Sequence, residues 1–143
     1  MDFISWVLAI IGIGSDRAMH RNDKRAEVAR LNAEVAGEVG RTLDILSLAT
    51  PRLKRLASQI AADHPEIHLS IVKFLDDQQS IALTMLKQTE DNKDKIATAK
   101  GFPDWDKAVR DFQEWGVTAS RIPPWVQDVV DRYDAVFLEN GIR

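Results

Sequence analysis

Residues 28–60 decide the fold class: VARLNAEVAGEVGRTLDILSLATPRLKRLASQI. Apolar side chains recur here at intervals of three and four residues, which places them on one face of an α-helix. The series is Leu31, Val35, Val39, Leu43 or its neighbour Thr42, Leu46, Ala49, Leu53, Leu56 and Ile60. Because the phase continues past Pro51, we predict one long helix over 22–62 that is kinked there, with two helices meeting at Pro51 as the alternative.

A second helix is expected over 65–97. His64-Pro65-Glu66 predicts its start, with Pro65 at the first helical position and Glu66 in the positive first turn. From Thr89 onward the polar sequence predicts a frayed, solvated end. The apolar positions form a wide second face: Ile67, Ile71, Phe74, Leu75, Ile81, Ala82, Met85 and Leu86.

The C-terminal helices are expected over 104–140. Asp104 is a candidate cap for a short helix that ends at Gly116, and a last helix is expected to begin at Pro123-Pro124. No stretch shows a convincing strand alternation. We therefore predict an all-α fold in a single domain over 1–143: a bundle of four to five helices with a long kinked central helix and an apolar N-terminal helix.

The composition is that of an ordinary globular chain. Its 143 residues suffice for one core, and seven Gly with five Pro are too few for a disordered or collagenous protein. The formal net charge of -3 lacks the basic excess of a nucleic-acid-binding surface, so no nucleic-acid partner is expected. The absence of cysteine excludes disulfides, thiolate metal sites and thiol nucleophiles.

The N-terminal segment, residues 3–13, reads FISWVLAIIGI and is apolar on every side of a helix expected over 1–14. At about 1.5 Å per residue it reaches about 17 Å, too short to cross about 30 Å of bilayer hydrocarbon. We expect lipid or a second copy of the chain to cover it, with the chain's own core as the alternative. The large side chains expected in that contact are Phe3, Ile4, Trp6, Val7, Leu8, Ile10, Ile11 and Ile13.

Two further groups of side chains are candidate contact residues. Arg17, Arg21, Lys24 and Arg25 form a cationic edge that suits anionic lipid headgroups, with a solvated charged turn as the alternative. Trp105, Trp115 and Trp125 lie in the C-terminal part, where they are candidates for binding a protein partner or for packing in the core.

The chain start does not predict secretion. Gly12 and Gly14 imitate a signal-peptide cleavage pattern, but the acidic Asp2 stands where a basic region belongs. A cytoplasmic or peripheral membrane location is therefore favoured.

No catalytic residue, metal or cofactor is expected. His64 and His68 have the spacing of metal ligands, but Pro65 steers His64 away from helical geometry, so a solvated helix start is favoured. Gly12-Ile13-Gly14 lacks the third glycine of a dinucleotide-binding loop, and no serine stands in a nucleophile-elbow sequence. We expect the protein not to be an enzyme.

In its order of elements the chain resembles the HeLo-type bundles and the related four-helix domains of mixed-lineage-kinase-like killers. What matches is the start Met1-Asp2, the apolar run 3–13 and the long helices that follow within about 150 residues. The resemblance implies a bundle that perturbs membranes when it oligomerises, and no site residue is carried over from it.

The sequence thus predicts a non-catalytic helical module that associates with a membrane or assembles with itself through residues 3–13, as an effector or accessory subunit. The alternative is a soluble adaptor, inhibitor or regulatory subunit that binds a protein partner through its C-terminal aromatic helices.

Overall fold

The computed structural model describes residues 16–98 and 100–143, and the side chains of this part from Asn22 onward. It contains three helices, α1 (Asp16–Gln59), α2 (Pro65–Ala97) and α3 (Trp105–Glu139). The all-α prediction is confirmed. The predicted count of four to five helices is corrected to three within the described residues, and the helix expected over 1–14 lies outside them.

Helix α1 is the central element and packs against both of the others. It runs antiparallel to α2, because Arg25 hydrogen-bonds Ile96 near one end while Lys54 Nζ lies 2.8 Å from Asp76 Oδ1 near the other. It runs parallel to α3, because Lys24 pairs with Asp106 and Arg52 pairs with Asp134. We call the end at Arg25 the near end of the bundle and the end at Arg52 the far end.

The core consists of three apolar clusters stacked along α1. The near-end cluster contains Val28, Leu31, Ile96, Trp105, Ala108, Val109 and Phe112. The middle cluster contains Val35, Val39, Ala82 and Ala119. The far-end cluster contains Leu46, Ala49, Leu53, Leu56, Ala57, Ile71, Leu75, Val126, Val130 and Phe137. The stripe predicted along α1 is therefore the buried one, with Thr42 buried beside a half-buried Leu43.

The kinked helix expected over 22–62 is corrected to one helix, Asp16–Gln59, that continues through Pro51 without interruption. Proline removes the backbone donor that would bond the Ser47 carbonyl, but Ser47 and Pro51 are both exposed, so water reaches that carbonyl. Ala49 and Leu53 are buried on either side of the proline in the same core cluster. Their packing in one cluster holds the parts of the helix before and after Pro51 against the bundle.

The C-terminal helices expected over 104–140 are corrected to the single helix α3, which contains Gly116, Pro123 and Pro124. Asp104 caps this helix as predicted, since its carboxylate accepts a hydrogen bond from the Lys107 backbone N–H at 3.1 Å. The helix passes the two prolines because one buried stripe extends across them, from Ala119 through Pro123 to Val126. Burial of that stripe against α1 outweighs the local cost of the missing donors.

A buried polar cluster joins α1 to α2. Asn32 Nδ2 donates to the Thr89 carbonyl at 3.0 Å, and Asn92 Nδ2 donates to Asn32 Oδ1 at 3.4 Å. All three residues are buried. The frayed end predicted from Thr89 onward is thus wrong, because α2 remains ordered to Ala97 and turns polar side chains into the core.

Candidate functional site

A partly exposed apolar surface lies between α2 and α3. No Cα atom of one helix comes within 8 Å of a Cα atom of the other, whereas α1 approaches both closely. The two helices meet only through their side chains. We call this surface the α2–α3 seam, and its principal residues are Ile67, Phe74, Ile81, Trp125, Tyr133 and Val136.

Aromatic rings bridge the seam at the far end. The Phe74 ring meets Trp125 edge to face with centroids 5.8 Å apart, and it meets Tyr133 in the same way at 5.8 Å. Burial raises the pKa of the Tyr133 phenol above its usual value. These contacts hold the three rings in fixed orientations, so the surface they present is preformed.

Four aliphatic and aromatic side chains of the seam remain open to water. Ile67, Ile81, Trp125 and Val136 are between 41% and 51% exposed. A cleft of about 550 Å³ opens at the far end, lined by Ile60, Asp63, His64, Ile67, Ile71, Tyr133, Val136, Phe137, Asn140 and Ile142. A second cleft of about 270 Å³ shares Ile67, Ile71 and Tyr133 with the first. An elongated apolar surface with side-chain-sized depressions is the type that accepts an apolar helix.

The predicted N-terminal contact residues, Phe3 to Ile13, lie outside the described part of the chain, as do the side chains of Arg17 and Arg21. The other two predicted cations are engaged within the fold. Arg25 donates from Nε to the Ile96 carbonyl and from Nη2 to the Ala97 carbonyl, both at 2.7 Å. Lys24 Nζ lies 3.8 Å from Asp106 Oδ1.

The three predicted partner-binding tryptophans have different environments. Trp105 is buried in the near-end cluster, and the half-buried Trp115 packs on the near-end and middle clusters. Phe102 and Phe112 meet them edge to face. Only Trp125 of the three is exposed, so it alone presents a large surface to a partner.

His64 and His68 lie at the start of α2. His64 Nδ1 lies 3.7 Å from Glu66 Oε1 with both side chains exposed. Over the residues that the structure describes, no three acidic or histidine side chains converge to hold a metal ion. In the same part of the chain, no helix is both long and apolar enough to span a bilayer.

Of the principal seam residues, sequence reasoning identified only Trp125 as a candidate contact residue, although one signal pointed to the others. The apolar face predicted for α2 is wider than contact with a single neighbouring helix requires. In the structure Ile71, Leu75 and Ala82 cover α1, while Ile67 and Ile81 remain exposed. Comparison with known protein families, curated proteins and solved structures finds no match to this chain.

Proposed function

We propose that the protein is a non-catalytic helical module that assembles with copies of itself through the apolar residues 3–13. The observation that carries this proposal is the open α2–α3 seam. The chain combines a preformed apolar surface, which no helix of the described part covers, with an apolar segment that is uncharged throughout. Burying a large apolar side chain contributes about 1.5 to 3 kcal/mol, so both surfaces favour association.

The cations at the start of α1 favour a protein contact over a lipid contact. Lipid association would need them free to reach anionic headgroups. Arg25 is instead bound to the carbonyl groups at the end of α2, and Lys24 is close to Asp106. Two of the four residues predicted to bind headgroups therefore already make contacts within the fold.

One observation favours a second candidate function, the binding of a different protein partner. Trp125 is half exposed in the centre of the seam, and tryptophan is enriched at the centres of protein interfaces. In that case the module is an adaptor or regulatory subunit, and residues 3–13 need not take part.

The proposal is tested by measuring the mass of the full-length protein in solution over a range of concentrations. We expect the wild type to be oligomeric and Ile10→Asp to be a monomer that still melts cooperatively, because a buried carboxylate opposes the contact. Leu48→Asp is the matched control: it adds the same charge at a residue of α1 that is 80% exposed and should leave the oligomer intact.

Three results would contradict the proposal. A wild type that stays monomeric at high concentration has no self-assembly to explain. A monomeric wild type whose Ile10→Asp variant melts far lower would place the segment in the chain's own core. If wild-type monomers bind anionic vesicles and Ile10→Asp does not, lipid rather than a second copy covers residues 3–13.

A further inference from the structure

We infer that the α2–α3 seam is the acceptor surface for residues 3–13 of a second copy of the chain. This inference rests on the proposed self-assembly and identifies its receiving surface. Each copy then carries one donor, the N-terminal segment, and one acceptor, the seam.

The geometry of the chain prevents the segment from occupying the seam of its own copy. Arg25 is level with Ile96 through its hydrogen bond, and Asp16 lies nine residues before Arg25, about 13 Å beyond the near end. Ile81 lies fifteen residues before Ile96 on α2, which places it about 22 Å from Ile96 toward the far end of the bundle. The start of α1 and the nearest exposed residue of the seam are therefore about 36 Å apart along the bundle.

Folded as the predicted helix, the segment is too short for that distance. A helix over 3–13 spans about 17 Å, and Gly14 with Ser15 adds about 7 Å, for a reach of about 24 Å. Ile67, at the far end of the seam, is about 57 Å from Asp16 along the bundle, which exceeds the roughly 50 to 54 Å of fifteen fully extended residues. As a helix the donor does not reach the acceptor of its own chain, and even fully extended it does not reach the far end of that acceptor, so the donor comes from another copy.

The dimensions of the two surfaces match. The exposed part of the seam extends fourteen residues along α2, from Ile67 to Ile81, which is about 21 Å against about 17 Å for the segment. Phe3, Trp6 and Ile10 follow the i, i+3, i+7 spacing of side chains that anchor a helix in a groove. The two clefts beside Tyr133 offer space for large side chains of this kind.

The charges beside the seam also match an uncharged occupant. In the turn of Phe74, Lys73 Nζ lies 2.7 Å from Asp77 Oδ2. In the turn after Trp125, Arg132 Nη2 lies 2.8 Å from Asp128 Oδ2. Each of these ion pairs is closed within its own helix, so the four residues need no counter-charge from an occupant, and residues 3–13 bring none.

The experiment separates the donor from the acceptor in the full-length protein. Ile10→Asp disables the donor, and Ile67→Asp disables the acceptor. Ile67 lies in the first turn of α2, where a negative charge is compatible with the helix dipole, so the variant should remain folded. Leu69→Asp is the matched control, because Leu69 is on the same helix, is more exposed and lines neither cleft.

We expect Ile67→Asp and Ile10→Asp each to weaken self-association by at least about tenfold, whereas Leu69→Asp assembles like the wild type. An equimolar mixture of the two disabled variants should form a species of two chains, because one intact donor and one intact acceptor remain. Val136→Asp, on the facing helix, should repeat the Ile67→Asp result and replaces that variant if its thermal melt shows a loss of folding.

Two outcomes overturn the inference. If the seam variants assemble like the wild type while Ile10→Asp is monomeric, self-assembly stands but the segments meet a surface other than the seam. If both disabled variants are monomeric but the mixture stays monomeric, the donor and acceptor are not complementary. A wild type that does not assemble, or an Ile10→Asp variant that assembles normally, instead contradicts the proposed self-assembly itself.

Discussion

Arg25 closes the carboxyl end of α2: its Nε donates to the Ile96 carbonyl at 2.7 Å, across 71 positions of sequence. Its Nη2 donates to the next carbonyl, that of Ala97, also at 2.7 Å. The last carbonyl groups of a helix have no partner within the helix, and a cation there also opposes the negative end of the helix dipole. One side chain of α1 thus satisfies two backbone groups of α2 and fixes the near end of the bundle.

Replacing this arginine should therefore weaken the fold itself. We expect Arg25→Gln to lower the free energy of unfolding by about 1 to 2 kcal/mol, since charge-assisted hydrogen bonds are lost from a partly buried site. Urea melts measure the change. Arg55→Gln, at an exposed position of the same helix, is the control and should stay within about 0.5 kcal/mol of the wild type. An equal effect of the two variants would remove the special role of Arg25.

The buried face of α1 could be predicted from the sequence, because the residues that pack in the core follow the three- and four-residue spacing of a helix. Leu46, Leu53 and Leu56 were predicted on one face and are buried there. The prolines were misleading, because local rules stop or kink a helix at Pro51 and Pro123, whereas burial of a continuous stripe carries both helices past them.

Long-range partners had no local signal. The charge of Arg25 alone is equally compatible with a lipid headgroup, with water and with a helix end 71 positions away. Asn92 lies in a strongly polar stretch, yet it is buried and donates to Asn32, a residue of α1 that spacing within α2 does not indicate. The seam depends on how far apart the axes of α2 and α3 lie, which spacing within either helix does not encode.

The asparagine pair provides a second test of the core. Asn32→Leu leaves the buried Asn92 amide without its acceptor, which should cost about 1 to 3 kcal/mol of unfolding free energy. The double variant Asn32→Leu with Asn92→Leu should recover part of that loss, because no orphaned amide remains. Denaturant melts of both single variants and the double variant give the coupling energy. Strict additivity would show that the two side chains do not interact.

Two leucines of α1 differ in burial and form a matched pair. Leu53 is fully buried in the far-end cluster, so Leu53→Ala should destabilise the protein by about 2 to 5 kcal/mol. Leu48 is 80% exposed, and Leu48→Ala should stay within about 0.5 kcal/mol of the wild type. Thermal or urea melts compare the two. A large loss in Leu48→Ala would indicate that an assembly contact covers that face of α1.

Two glycines should respond to alanine in opposite directions. A Cβ at Gly37 would meet no atom within 4 Å, and Gly37 lies in an exposed helix interior, so Gly37→Ala should stabilise the protein by about 0.5 to 1 kcal/mol. A Cβ at Gly101 would overlap the Lys95 backbone carbonyl, so Gly101→Ala should destabilise it by more than about 1 kcal/mol. Urea melts that shift in the same direction would contradict this assignment.

Tyr133 reports on the seam, because it is the one tyrosine of the sequence and its phenol titration is therefore free of overlap from other tyrosines. Burial raises the pKa of the Tyr133 phenol in the folded protein, since the ionised form is poorly solvated there. The raised pKa fixes how stability depends on pH: the stabilisation by the neutral phenol is complete below the pKa of the tyrosine in the unfolded chain. It is lost as the pH rises through the higher pKa of the folded state.

Tyrosinate absorbance should consequently appear at higher pH in the folded protein than in urea-denatured protein. The same titration tests the seam, because a helix docked over Tyr133 excludes further water. We expect the wild-type assembly to titrate at higher pH than the Ile10→Asp monomer, and Leu69→Asp to follow the wild type. Identical titrations of the assembly and the monomer would show that residues 3–13 contact a surface away from Tyr133.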